Sequence, residues 1–196
     1  MANVRGIHSV GDSIVTYLRN AYPAQSGGAD MPACQFGLVV GGEFVGEVEE
    51  GTRVTLWLHR ITADEHGRQL RRPGVPLDAR PPLNLDLHYL LTAWAGNAQD
   101  EQITLAWAMR ELHQVPVFDL ALLSPSGGWG RDESVRIVPE ELSTADMMRV
   151  WDALDASYRL SAGYVARVVR LDPDEDDDLF APVVATRYAY GREGTL

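Results

Sequence analysis

Asn84, Asp86 and His88 stand at alternate positions of the stretch Pro81 to Gly96, PPLNLDLHYLLTAWAG. An amide, a carboxylate and an imidazole spaced by two share one face of an extended strand, where they can converge on a metal ion or a polar substrate. Such chemistry needs further ligands. Neither a second histidine nor a cysteine pair stands at metal-ligand spacing. The trio therefore reads as the polar face of a sheet, solvated or covered by a neighbouring subunit. The acidic run Asp172 to Asp178, DPDEDDD, also offers oxygen ligands. A calcium loop of the EF-hand kind counted from Asp172 needs glycine at its sixth position and a bidentate glutamate at its twelfth, where this chain has Asp177 and Val183. The run reads as a solvated charged turn after a strand.

Other short signals carry still less chemistry. Gly41-Gly42-Glu43-Phe44 is similar to the signature hairpin of cyclases that make cyclic di-GMP. It lacks the extra acidic residue of that motif, and a tight turn between strands is the better reading. The glycine runs at 27, 41 and 127 lack the Lys and Ser/Thr of a phosphate loop. Cys34 is the lone cysteine, with no cationic surrounding evident to activate it. No catalytic constellation forms, so neither an enzyme nor a cofactor is expected. The residues with most to offer are recognition residues. Trp129 sits among glycines in Ser124 to Asp132, SPSGGWGRD, with Arg131 close behind. Exposed Trp and Arg are favoured anchors at protein interfaces, although Trp129 can equally cap the edge of the core. Arg187, Tyr188 and Tyr190 near the C-terminus form an alternating stretch that can add a strand to a neighbour's sheet edge, or fray.

The elements that position these residues follow from hydrophobic period. Leu83, Leu85, Leu87, Tyr89 and Leu91 recur every second residue, which predicts a strand with one buried face, entered through Pro81-Pro82. Across a short loop with Gly96 and Asn97, Gln99 to His113 turns to helical spacing. Ile7, Val10, Ile14, Leu18 and Ala21 fall on one face of an opening helix that Pro23 stops. Ala24 to Pro32 reads as a flexible link. Phe36 to Val40 and Phe44 to Val48 read as short strands around a hairpin-like turn at Gly41-Gly42. Thr52 to Ile61 predicts a central strand, and Thr62 to Pro82 a long polar connection. Ser134 to Val138 is a short strand. Ser143 or Thr144 caps a last helix whose apolar face is Met147, Met148, Trp151, Leu154 and Tyr158, and Tyr164 to Leu171 is a further strand. The sum is a single α+β domain, a twisted mixed sheet flanked by two or three helices. Its core spans residues 1–171, and 172–196 form an acidic turn and tail.

Composition bounds the function. The chain has 196 residues, 45% of them hydrophobic and 23% charged, which is a globular balance. No run approaches the ~18 apolar residues of a membrane span, and no signal-peptide core opens the chain. A cytoplasmic protein is expected, with no membrane partner. The net charge of −11 argues against nucleic acid, since phosphate neutralisation needs a basic face. Every basic residue counted in that charge is arginine, which reads first as arginine-biased usage. Arginines at a subunit contact would suit carboxylates there.

LDLHYLLTAWAG, ELSTADMMRVWDAL and YRLSAGYVARVVRLDP, in that order after the opening helix, resemble the tail-terminator or cap family of phage-tail-like contractile injection systems, the antifeeding-prophage and Photorhabdus virulence cassette type. The resemblance runs from Ile7 to about Leu171. It implies a tail-terminator-like fold and a homo-oligomeric ring, expected to be six-fold, that ends polymerisation of the inner tube and outer sheath and helps to set particle length. Tube and sheath proteins are then the partners, and the assembled particle the destination. The candidate interface residues are Trp129, Arg131, Arg187, Tyr188 and Tyr190. Some members carry an added C-terminal domain, which is expected here to be absent or reduced to a tail. Two other functions stay open: an adaptor docking the cap to another component, and a small-molecule enzyme using the Asp86/His88 face.

Overall fold

The computed structural model describes residues 2–44, 51–63, 82–154 and 156–172. The expected polar connection, the second arm of the expected hairpin, the acidic run beyond Asp172 and the whole C-terminal tail fall largely or wholly outside the described residues. Helix α1 (Gly6–Ala21) is followed by strands β1 (Gln25–Ser26), β2 (Ala29–Asp30), β3 (Cys34–Val39), β4 (Thr52–Ala63) and β5 (Leu83–Trp94). Then come α2 (Ala98–Gln114), β6 (Val117–Phe118), β7 (Val135–Glu140), α3 (Thr144–Ala153) and β8 (Ser161–Leu171). Strands β3 to β8 form one six-stranded sheet in the order β3-β4-β5-β8-β7-β6. The β3–β4 pair is parallel and the others are antiparallel, so the sheet is mixed as expected.

Local chemistry explains the elements. Asn97 caps α2 by accepting a hydrogen bond from the Asp100 N–H, and Ser143 caps α3 by accepting one from the Asp146 N–H. Thr52 to Ala63 and Leu83 to Trp94 are rich in β-branched, leucine and aromatic residues, and they pair along their length as β4 and β5. A tight hairpin stands where a flexible link was expected. Gly27 and Gly28 have φ of +63° and +82°, the pair of left-handed residues that a tight two-residue β-turn requires, and they join β1 to β2. Ala24 to Pro32 is therefore an ordered ribbon rather than a flexible link. Gly41–Phe44 forms a 3-10 turn where a tight hairpin turn was expected, and β3 pairs in parallel with β4; the second arm expected at Phe44 to Val48 lies beyond Phe44 outside the described residues.

Two cores lie on opposite faces of the sheet. On one face α1 and α2 pack Val10, Ile14, Leu18, Leu105, Trp107 and Leu112 onto Val54, Leu56, Leu85, Leu87, Tyr89 and Leu91. Gly11 lets α1 approach β3 closely, since a Cβ there would lie 2.8 Å from Leu38 Cδ1. On the other face α3 covers Leu90 and Trp94 with Trp151 and Leu154, with Trp57, Val39, Leu142 and Met147 around them. Trp94 and Trp151 meet edge to face at 6.0 Å, and Trp94 Nε1 donates to Thr55 Oγ1 at 2.9 Å. The expectation of one buried face on β5 is thus corrected: from Leu87 onward both faces are buried. Helices α1 and α2 lie on one side; on the other, α3 lies over Leu90 and Trp94, and Glu140 and Arg60 lie against His88. The apolar face expected of α3 is narrower too. Met147 packs inward, whereas Met148 is exposed, since successive residues on a helix point about 100° apart. Tyr158 lies beyond the helix end and meets Trp151 at 6.0 Å.

Candidate functional site

Helix α3 covers only part of its face of the sheet. The remainder is polar, and the strand register shows how it is built. Arg60 is the partner of His88, His88 of Val165, and Val165 of Val138. In the next row Thr62 pairs with Asp86, and further across the sheet Arg167 pairs with Arg136. Directly opposed residues point to one side of the sheet, so Arg60, Thr62, Asp86, His88, Arg136 and Arg167 share this face. A bulge between Leu58 and Arg60 adds one residue to β4. It sets Arg60 opposite His88 while leaving the His59 ring 6.3 Å from the His88 ring.

Glu140 joins these strands. Its carboxylate lies 2.8 Å from His88 Nδ1 and accepts a 2.8 Å bond from Arg60 Nη2, although Glu140 is on β7 and His88 on β5. Strand β8 lies between them, and Gly163 opens the way over it. Gly163 is the partner of both Glu140 and Leu90, and a Cβ there would sit 2.7 Å from the Glu140 carbonyl oxygen. The hydrogen bonds assign the tautomer of neutral His88: Nδ1–H donates to Glu140, and Nε2 accepts from the Thr62 hydroxyl at 2.9 Å. The 3.1 Å approach of Arg60 Nη2 to Nδ1 follows from both groups gathering at one carboxylate. His59 is held below its ordinary pKa, first by burial and also by Arg60 and His88, against an opposing pull from Glu140.

Of the trio picked out in sequence, only His88 is buried. Its own chain covers it, where a solvated or subunit-covered face was expected, while Asn84 and Asp86 are half-buried. Glu140, Arg60 and His59 were missed. Nothing in sequence spacing joins residues 60, 88 and 140; only the strand order does. Among the described residues no three His, Cys, Asp or Glu side chains lie close enough to hold a metal ion. The Cys34 thiol is pushed up to about 12 by burial, which leaves it protonated and unreactive at neutral pH.

The loop bearing Trp129 is tied to α1. Trp129 is half-buried against the first core, and its Nε1 donates to Ser9 Oγ at 2.9 Å. Ser9 Oγ in turn donates to the Ser124 carbonyl, and the Ser124 N–H donates to Ser13 Oγ. Gly127 is required beneath the ring, where a Cβ would come within 2.4 Å of Trp129 Nε1. Arg131 is exposed. Arg187, Tyr188 and Tyr190 lie outside the described residues. No described helix is long and apolar enough to cross a membrane.

A family model for the Pvc16 N-terminal domain matches residues 9–185. The chain belongs to the Pvc16 N-terminal domain family. Two solved structures share the fold of this Pvc16 N-terminal domain. One is the sheath/tube terminator of PVC, an extracellular contractile injection system, in its extended state. It has a TM-score of 0.57 and 19% identity, over 97% of this chain and 65% of that one. The other is the tube-terminating cap of the anti-feeding prophage, with a TM-score of 0.54 and 15% identity, over 97% of this chain and 62% of that one. The chain thus spans somewhat less than two thirds of the length of either. No curated protein matches it. The family and the terminator-like α+β fold expected from the sequence are both found.

Proposed function

We propose that this protein is the cap of a contractile injection system, a ring that stops growth of tube and sheath and so helps to set particle length. One observation carries the reading: nearly the whole chain, 97% of it, superposes on a sheath/tube terminator and on a tube-terminating cap. The family match over 9–185 supports it independently of coordinates. The chain would be made in the cytoplasm and assembled into the particle, with tube and sheath proteins as its partners and no catalytic role.

The physical basis is closure. A contact between two different patches of identical subunits forms a ring when its rotation closes. Such a ring can bind the last layer of tube and sheath through one face and present on the other no copy of that layer's own upper surface, so addition ends there. Arg131 and the segment holding Arg187, Tyr188 and Tyr190 are the proposed contacts to sheath or neighbour. Trp129, committed to Ser9, acts mainly by holding that loop in place.

Deleting the gene and measuring particles by electron microscopy tests the proposal. Tubes and sheaths of broadly scattered, excessive length are expected, with normal length restored by the wild-type chain. Normal-length particles that fail to join another component would establish an adaptor in place of a terminator.

A further inference from the structure

Two histidines and an arginine gather at one carboxylate beside the second core. His59 is the extra residue of the β4 bulge, and its ring lies 5.9 Å from Trp57 and 6.3 Å from His88. Its Nε2 is buried and has no hydrogen-bond partner among the described residues. A bare lone pair is tolerated in such a place. The imidazolium carries N–H on both nitrogens whatever the neutral tautomer, so protonation puts a donor there with nothing to accept it. The nearest carboxylate is already taken. Glu140 Oε1 accepts from Arg60 Nη2 and His88 Nδ1, and Oε2 lies 2.9 Å from the same nitrogen of His88.

The polar groups facing His59 come from three strands: Arg60 and Thr62 on β4, His88 and Asp86 on β5, and Glu140 on β7. On α3, Asp146 and Arg149 pair with each other in solvent, and Glu43, Glu141 and Asp152 are exposed. Burial first of all, and Arg60 and His88 with it, oppose a charge on His59, and only Glu140 favours one. Both neighbours of this ring lead to α3. Trp57 packs against the second core with Trp151, Leu154 and Met147. Glu140 ends β7, and the chain runs from it through Leu142 into the Ser143 cap of α3. We propose that His59, His88 and Glu140 form a proton-sensitive latch that seats α3 on the second face at neutral pH and releases it on acidification. Hydrating the His59 cation calls for a shift of the side chains around it, Trp57 and the Glu140 junction among them, and α3 rests on both. Helices α1 and α2 pack on the other face, so the opening is local. The closed form holds His59 below its ordinary 6.5, so below that pH the open form binds the proton more tightly and acidification favours it. The latch stands whether or not the chain caps a particle.

Hydrogen–deuterium exchange of the full chain at about pH 7.5 and about pH 5.5, corrected for the intrinsic pH dependence of exchange, tests it. The amides of α3 are expected to exchange at least ~10-fold faster at the lower pH, while those of α1 change less than ~2-fold. His59→Gln, neutral throughout, should abolish the acceleration. His8→Gln, at an exposed position of α1, should keep it. An NMR titration of the wild type makes the test independent of the variants: the His59 ring and the Trp151 indole should change with one midpoint, below 6.5. An α3 that does not accelerate, an α1 that accelerates equally, acceleration that persists in His59→Gln, or two separate midpoints would each overturn the latch.

Discussion

At Glu140 one carboxylate serves His88 and Arg60 together, and the two partnerships differ in worth. His88 is only 8% exposed, so removing its acceptor strands a buried ring N–H. Glu140→Ala is expected to cost about 1–3 kcal/mol in urea unfolding. Arg60 has a side chain 52% exposed, and Arg60→Ala is expected to cost under ~1 kcal/mol because water screens that pair. Equal losses from both changes would place the energy in the surface ion pair and contradict the assignment. His59 supplies a pH dependence. Its folded pKa lies below the ordinary 6.5, so the unfolded chain binds the extra proton first. Its contribution is complete above about pH 6.5 and is lost as pH falls below that toward the folded value. His59→Gln should flatten the fall in melting temperature between about pH 7.5 and 5.5, and an unchanged slope would place the titration elsewhere.

Between elements, Gly163 and Trp151 decide how the second face is assembled. Gly163→Ala would drive a methyl to 2.7 Å from the Glu140 carbonyl and 3.3 Å from Leu142 Cδ1, which β7 can relieve only by parting from β8. A loss of about 1–3 kcal/mol is expected, with the Glu140–His88 bond weakened in the same variant. Trp151→Ala should cost about 3–5 kcal/mol, since Trp151 is 2% exposed and is the main side chain joining α3 to Trp94 and Leu90. A cost below ~1 kcal/mol in chemical unfolding would show that α3 contributes little to holding that face. The elements were legible in sequence where a period was long and unbroken, as in α1, β4 and β5. They were misread where two signals looked alike. Gly41-Gly42 lies between apolar runs and looks like a hairpin, whereas Gly27-Gly28 lies between polar residues and looks like a linker. The backbone places its left-handed turn at the second pair, while Gly41–Phe44 winds into a 3-10 turn.

For the whole molecule the sign of the salt effect is the informative quantity. Subunits of net charge −11 repel one another, so a ring held only by apolar contact should tighten as salt screens that repulsion. A ring held by ion pairs between subunits should loosen. Sedimentation of the wild type at rising salt therefore separates the two modes, and tightening would exclude the charge-paired one. The same scale bears on function. The related terminator and cap are longer than this chain, which covers 65% and 62% of them, so what the three share is this fold.

By itself the sequence determined the fold class, through local signals such as the period of two in β5 and the period of 3.6 in α1 and α2, and the family, through the resemblance carried by LDLHYLLTAWAG, ELSTADMMRVWDAL and YRLSAGYVARVVRLDP. The tertiary structure alone decided the composition of the open face. Residues 60, 88 and 140 meet only because the chain runs from β5 to the far edge of the sheet and returns through β7 to β8. Arg136 and Arg167 become neighbours through the same pairing. Register is a long-range outcome of packing on two faces, and no window of sequence contains it.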